Sequence, residues 1–107
     1  MVGRIWHGYT THQNAEAYFK VLTTEVIPGI AAMKIKGYRS IQVLRRKLAD
    51  EEEFITIMWF DSLENIKAFT GEDYEVAHVP PQARAVLKRF DARSQHYDVV
   101  HELKYQG

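Results

Sequence analysis

The chain has 107 residues and a mass of 12.5 kDa, enough for one domain, and its 46% apolar and 26% charged residues exclude a disordered or collagen-like chain. Fourteen Lys and Arg balance fourteen Asp and Glu, so the cationic surplus of a nucleic-acid binder is missing and no long-range repulsion opposes self-association. Cysteine is absent, which removes disulfides, thiolate metal sites and cysteine nucleophiles.

In chain order, Gly3 to Tyr9 reads as a short aromatic strand, followed by Thr10 and Thr11 as helix N-caps. Ala15, Tyr18, Phe19, Leu22 and Val26 then form one apolar stripe of an amphipathic helix, which Pro28-Gly29 is expected to end. From Tyr38 to Leu48 the chain alternates, with Arg39, Ile41, Val43 and Arg45 on one face and Tyr38, Ser40, Gln42 and Leu44 on the other. Ala49 to Glu52 turns it into a strand from Glu53 to Phe60. The charges Arg45-Arg46-Lys47 and Asp50 to Glu53 read as a solvated hairpin tip rather than a site for an acidic ligand. Asp61 or Ser62 caps a second helix, with Glu64 placed for a capping box, Leu63, Ile66 and Phe69 inward, and Gly71 as C-terminal stop. A loop carrying Asp73, Tyr74 and His78 leads to Pro80-Pro81 and a third helix with Ala83, Val86, Leu87 and Phe90 inward. Ser94 to Leu103 is the last strand. No apolar run approaches the ~20 residues of a membrane span, and MVGRIWHGYT lacks a signal-peptide core, so the expectation is a soluble, cytoplasmic protein with no membrane partner.

The order β-α-β-β-α-α-β, less its extra helix, is an α+β, ferredoxin-like split βαβ: an antiparallel four-stranded sheet with helices on one face. The strand from Glu53 to Phe60 is apolar on both sides, Phe54, Met58 and Phe60 against Ile55, Ile57 and Trp59. One row would face water in a monomer, so a homodimer packed sheet to sheet is expected.

Five histidines, His7, His12, His78, His96 and His101, show no metal-ligand spacing, and no metal site is expected. His96 and His101 lie five apart on a strand and point to opposite faces; with His12 they read as surface residues. His78 sits in a loop where it can overhang the cleft between helices and sheet. It suits acid–base chemistry or haem ligation, or else orders the turn before Pro80. His7 lies between Trp6 and Gly8, where a ligand or another backbone could approach closely. Trp6, Trp59, Tyr18, Phe69 and Phe90 could wall a pocket or simply fill a core. No nucleophile elbow and no glycine-rich phosphate loop is present.

The segments Arg4 to Gly8 (RIWHG), Ser40 to Arg46 (SIQVLRR), Met58 to Phe69 (MWFDSLENIKAF) and Ala92 to Val100 (ARSQHYDVV) resemble the antibiotic biosynthesis monooxygenase-like family of the dimeric α/β-barrel superfamily, over nearly the whole of residues 1–107. The resemblance implies a dimeric α/β barrel and two kinds of enzyme. Cofactor-independent monooxygenases of this family oxidise phenolic polycyclic substrates such as anthrones. On that reading His78 is the catalytic base or orienter, with Trp59, Phe69 and Tyr74 as walls or hydrogen-bond partners and Arg45 holding the anion. Trp6 and His7 complete the candidate substrate-binding set, and the partner is a small aromatic molecule. The haem-degrading branch uses a His ligand with an Asn and a Trp nearby. His78, in EVAH, matches the ligand; Trp6 with His7 stands at the Asn position, and the Trp position falls near Phe69 to Gly71. Haem is therefore the alternative to no cofactor, and a non-catalytic dimeric module binding a small ligand is the third possibility.

Overall fold

The computed structural model describes residues 1–107. Strand β1 (Val2–Thr10) is followed by α1 (Ala15–Val21), a π-helical turn (Leu22–Val26) and α2 (Ile27–Ala32). The hairpin β2 (Tyr38–Lys47) and β3 (Glu52–Phe60) leads to α3 (Leu63–Thr70), the single turn α4 (Pro81–Arg84), and the short strands β4 (Arg89–Phe90) and β5 (Gln95–Asp98). The sheet is antiparallel throughout, in the order β2-β3-β1 with β4 and β5 both on the free edge of β1. This is the ferredoxin-like α+β arrangement.

The core lies between the helices and the sheet face that carries Val2, Trp6, Phe54, Met58 and Phe60, closed by Tyr18, Leu22, Val26, Ile30, Ile66 and Phe69. Each of these strand residues shares parity along its strand, so one face takes the whole apolar load of the helices. Tyr18 meets Phe54 edge-on at 4.8 Å, and Phe60 stacks on Phe69 at 6.3 Å.

Several expectations need correction; the N-cap of α1, for one, is Asn14 rather than Thr10 or Thr11. The first helix does not end at Pro28-Gly29. Its ladder slips by one residue beforehand, with Ile27 N–H donating to Leu22 O, so Pro28 enters the first turn of α2, where its missing N–H costs little. Thr23 and Thr24 hydroxyls donate to Phe19 O and Lys20 O beside that slip. In β2 a bulge between Tyr38 and Ser40 carries Tyr38 to the helix side, where it packs on Phe60 at 5.3 Å, while Arg39 pairs with Asp61. Ser62, in extended conformation, is the N-cap of α3, and no capping box forms, because its hydroxyl is engaged with Asn65 Oδ1. Gly71 does close that helix, at φ +94°, a region that a side chain would strain. Phe90 is on a strand, not a helix: Lys88 N–H and Asp91 N–H donate to Tyr9 O and His7 O, and the edge of β1 claims the backbone. The last strand ends at Asp98 rather than Leu103, with Val99 N–H donating to Met1 O just beyond it. That edge is thus two short strands, and the sheet has five.

The hairpin-tip charges are not merely solvated. Glu52 and Glu53 are buried, Glu52 holding Arg45 at 2.8 Å and His12 at 3.2 Å, and Glu53 holding Arg46 at 2.5 Å.

Candidate functional site

The edge beside β1 builds the site. Between β4 and β5 the pairing register shifts by two residues, and the intervening chain turns away to pair with the loop after α3. Val76 bridges Arg93, Ala77 N–H donates to Ala92 O, and Ser94 N–H donates to Glu75 O at 2.6 Å. These contacts pull the loop from Tyr74 to Pro80 across the inner face of the sheet. Beneath it lies a cavity of about 530 Å³ including its open mouth, lined mainly by apolar side chains of α1, α2, the π turn and the inner sheet face.

Trp6, Phe69 and His78 of the expected site meet at this cavity. The Trp6 indole N–H donates to Asp91 O at 2.9 Å, so the ring offers its apolar surface rather than its donor. Gly8 makes room for it: a Cβ there would stand 2.4 Å from the Trp6 ring. His78 packs beside Phe69, ring centres 5.2 Å apart, and its imidazole has no hydrogen-bond partner within the chain. Although the residue is open to solvent on one side, its partial burial, followed by the charge of Arg4, lowers its pKa below the ordinary 6.5 and favours the neutral ring at pH 7.

The other four expected residues stand elsewhere. His7 and Trp59 point to the outer face of the sheet. There His7 Nδ1 meets Asp91 Oδ2 at 2.8 Å and Trp59 Nε1 donates to Gln42 Oε1 at 2.7 Å. Arg45 is on the inner face but at the hairpin end, held by Glu16 and Glu52. Tyr74 contributes its carbonyl, not its ring, to the neighbourhood of the cavity, and its ring packs edge-on to His96 at 5.2 Å.

One residue of the site was missed. Arg4, 3% exposed, lines the cavity and donates to Tyr74 O at 2.5 Å and Val76 O at 2.9 Å. Its Nη1 lies 2.9 Å from Nε2 of His96, which pairs opposite it across β1 and β5. Burial lowers the Arg4 pKa to about 10 and that of His96 below the ordinary value, the latter also through the Arg4 charge. His96 is therefore an inner-face residue and not a surface one. The available signal was parity: Arg4 shares the alternation of Val2 and Trp6. Tyr18 lines the same cavity with a hydroxyl that has no partner in the chain, and burial raises its pKa, which keeps it a neutral donor. No group of three or more His, Asp or Glu side chains converges as for a metal ion, and no helix is long and apolar enough to cross a membrane.

Neither a family model nor a curated protein matches the chain in sequence. Solved structures do match in fold. A Bacillus cereus protein assigned to the antibiotic biosynthesis monooxygenases superposes with a TM-score of 0.67 at 18% identity, over 99% of this chain and 98% of its own. SnoaB, a cofactor-independent oxygenase from Streptomyces nogalater, gives 0.62 at 15% identity, over 97% and 98%. The haem-degrader MhuD from Mycobacterium tuberculosis, with two haems in its active site, gives 0.61 at 18% identity, over 97% and 100%. The fold of this chain is thus that of the antibiotic biosynthesis monooxygenase-like proteins, as its sequence segments implied.

Proposed function

We propose that the chain is an oxygenase that requires no bound cofactor and oxidises a small aromatic, phenolic substrate with O₂ in the cavity between helices and sheet. One observation carries this reading: an unpartnered imidazole, His78, stands at the solvent-exposed rim of an apolar cavity, within the field of a buried cation, Arg4. A phenolic substrate with an activated CH₂, of the anthrone kind, loses a proton to His78, and its anion supplies electrons to O₂. One oxygen atom ends in a new carbonyl and the other leaves as water with the two hydrogens of the CH₂. The chain's part is to bind the flat ring against Trp6 and Phe69, accept the proton, and keep water from the anion. The fold shared with SnoaB, a cofactor-independent oxygenase, supports the same reading.

Because the base must be unprotonated and His78 titrates below 6.5, activity holds through neutral pH and falls only as pH drops beneath that value. The test is oxygen uptake with 1,8-dihydroxyanthrone, without added metal or flavin, for wild type and His78→Ala. The expected loss in the variant is about 10²–10⁴-fold, the usual range for a positioned base. Absence of uptake in wild type overturns the reading.

A second reading is haem binding, favoured by the free ring nitrogen of His78 beside Phe69 and by the shared fold with MhuD. His78 would hold the haem iron, which when bound would supply the centre that activates O₂. Haemin titration separates the readings, since a saturable Soret shift lost in His78→Ala selects haem. Either activity is proposed to reside in a homodimer, packed through the outer sheet face, where Ile5, Ile55, Ile57 and Trp59 remain half-exposed and Leu44 is exposed.

A further inference from the structure

We propose that Arg4 is the anion-binding residue of the cavity, and that the site selects a flat apolar body carrying one oxyanion, a phenolate or an aryl carboxylate. This rests on the reading of the cavity as an aromatic site and specifies the charge of what enters. Arg39, Arg45, Arg46, Arg89 and Arg93 each meet a carboxylate, and Arg84 is exposed to solvent. Arg4 alone is buried without a counter-charge: its partners are two carbonyls and an imidazole. A buried charge left so is costly, and an anion arriving in the cavity completes it.

The group is also held ready. Three of its five N–H donors are used, two from Nη1 and one from Nη2, which leaves Nε–H and one Nη2–H for a ligand. The guanidinium lies 5.5 Å over the Phe69 ring, the same ring that His78 packs against, so cation and base address one aromatic ligand. His96 is a positioning residue. Its Nε2 accepts from Arg4, which places the proton on Nδ1, and that nitrogen is buried with no partner. Preorganised cations of this kind make charge-assisted bonds to oxyanions that are roughly twice as strong as neutral ones.

Calorimetric titration at pH 7 compares 2-naphthoate with 2-naphthamide, which has the same shape without the charge. Wild type should bind the naphthoate at least about 10-fold tighter, and Arg4→Met should abolish that preference. A second arm follows 2-naphthol at pH 8, where binding to wild type but not to Arg4→Met should bring out the naphtholate absorbance. Equal affinity of wild type for the two isosteres, or a preference that survives in Arg4→Met, overturns the proposal. The wild-type comparison decides even if the variant folds poorly. Arg4-dependent naphthoate binding without oxygen uptake sinks the oxygenase reading alone; uptake without any charge preference sinks this inference alone. If neither naphthalene binds, this inference falls and oxygen uptake alone decides the oxygenase reading.

Discussion

On its inner side β3 presents Phe54, Thr56, Met58 and Phe60, all buried by helices of the same chain, while on its outer side Ile55, Ile57 and Trp59 stay half-exposed. The same alternation of residues thus meets two fates. The inner row is closed except where the loop after α3 leaves a cavity, and there the chain spends a buried arginine and two histidines. The outer row carries the His7–Asp91 pair and a band of isoleucines that nothing in this chain covers. Apolar content alone therefore does not mark a site. What distinguishes the inner face is polar groups left incomplete within an enclosure, whereas the outer face is incomplete in its apolar area.

The largest expected effect lies on the inner face. Phe54→Ala, at a residue with 0% exposure, should cost about 3–5 kcal/mol in urea unfolding. A cost under about 1 kcal/mol would mean that the inner face is not closed by this packing. Next comes Gly8→Ala. Its Cβ would strike the Trp6 ring at 2.4 Å and Leu87 at 3.2 Å, and the ring is tethered by its bond to Asp91 O. A loss of about 1–3 kcal/mol is expected, with a shift in Trp6 fluorescence as the cavity wall moves.

On the outer face Ile57→Lys should cost the single chain only about 0.2–1 kcal/mol, through its cross-strand neighbours Ile5 and Gln42. It should instead reduce the mass in sedimentation equilibrium to 12.5 kDa from twice that. An unchanged dimer would remove the outer face as the contact. The smallest and broadest effect is with pH. Arg45 and then His12 lower the Glu52 pKa below its ordinary 4.5, and Arg46 and then Tyr9 do the same for Glu53. Groups whose folded pKa is depressed stabilise fully above the unfolded value, so the urea midpoint should fall as pH drops below about 4.5. Arg45→Gln should flatten that fall, and a midpoint indifferent to pH there would show the ion pairs to be idle.

Much of the scaffold could be read from local pattern. The alternation of β3, the stripe of α1 and the glycine after α3 are each set by neighbours a few residues away, and periodicity reports those. The positions that escaped depend on distant chain. Nothing near Phe90 says that an edge of β1 awaits its backbone, and nothing near Pro28 says that the ladder has already slipped. The site residues divide the same way. His78 could be singled out by its loop, but Arg4 looks like a surface charge until β5 and the loop carbonyls of Tyr74 and Val76 converge on it. His7 and Trp59 were drawn toward the pocket by residue type, whereas strand parity turns them to the other face.

The first strand is the axis of all this. Val2 pairs with Phe60 on one side and Asp98 on the other, and Arg4, Trp6 and Gly8 lie between those partners. As the chain is synthesised, the strand that bears the site is therefore made before its neighbours, β3 on one side and β4 and β5 on the other. Its closing contacts join Val2 to Asp98, so a long loop must close before they form, and folding of this small domain should be slow for its size. Until then a nascent Trp6 and its unpaired edge stand open, the interval in which such a chain has most need of a chaperone.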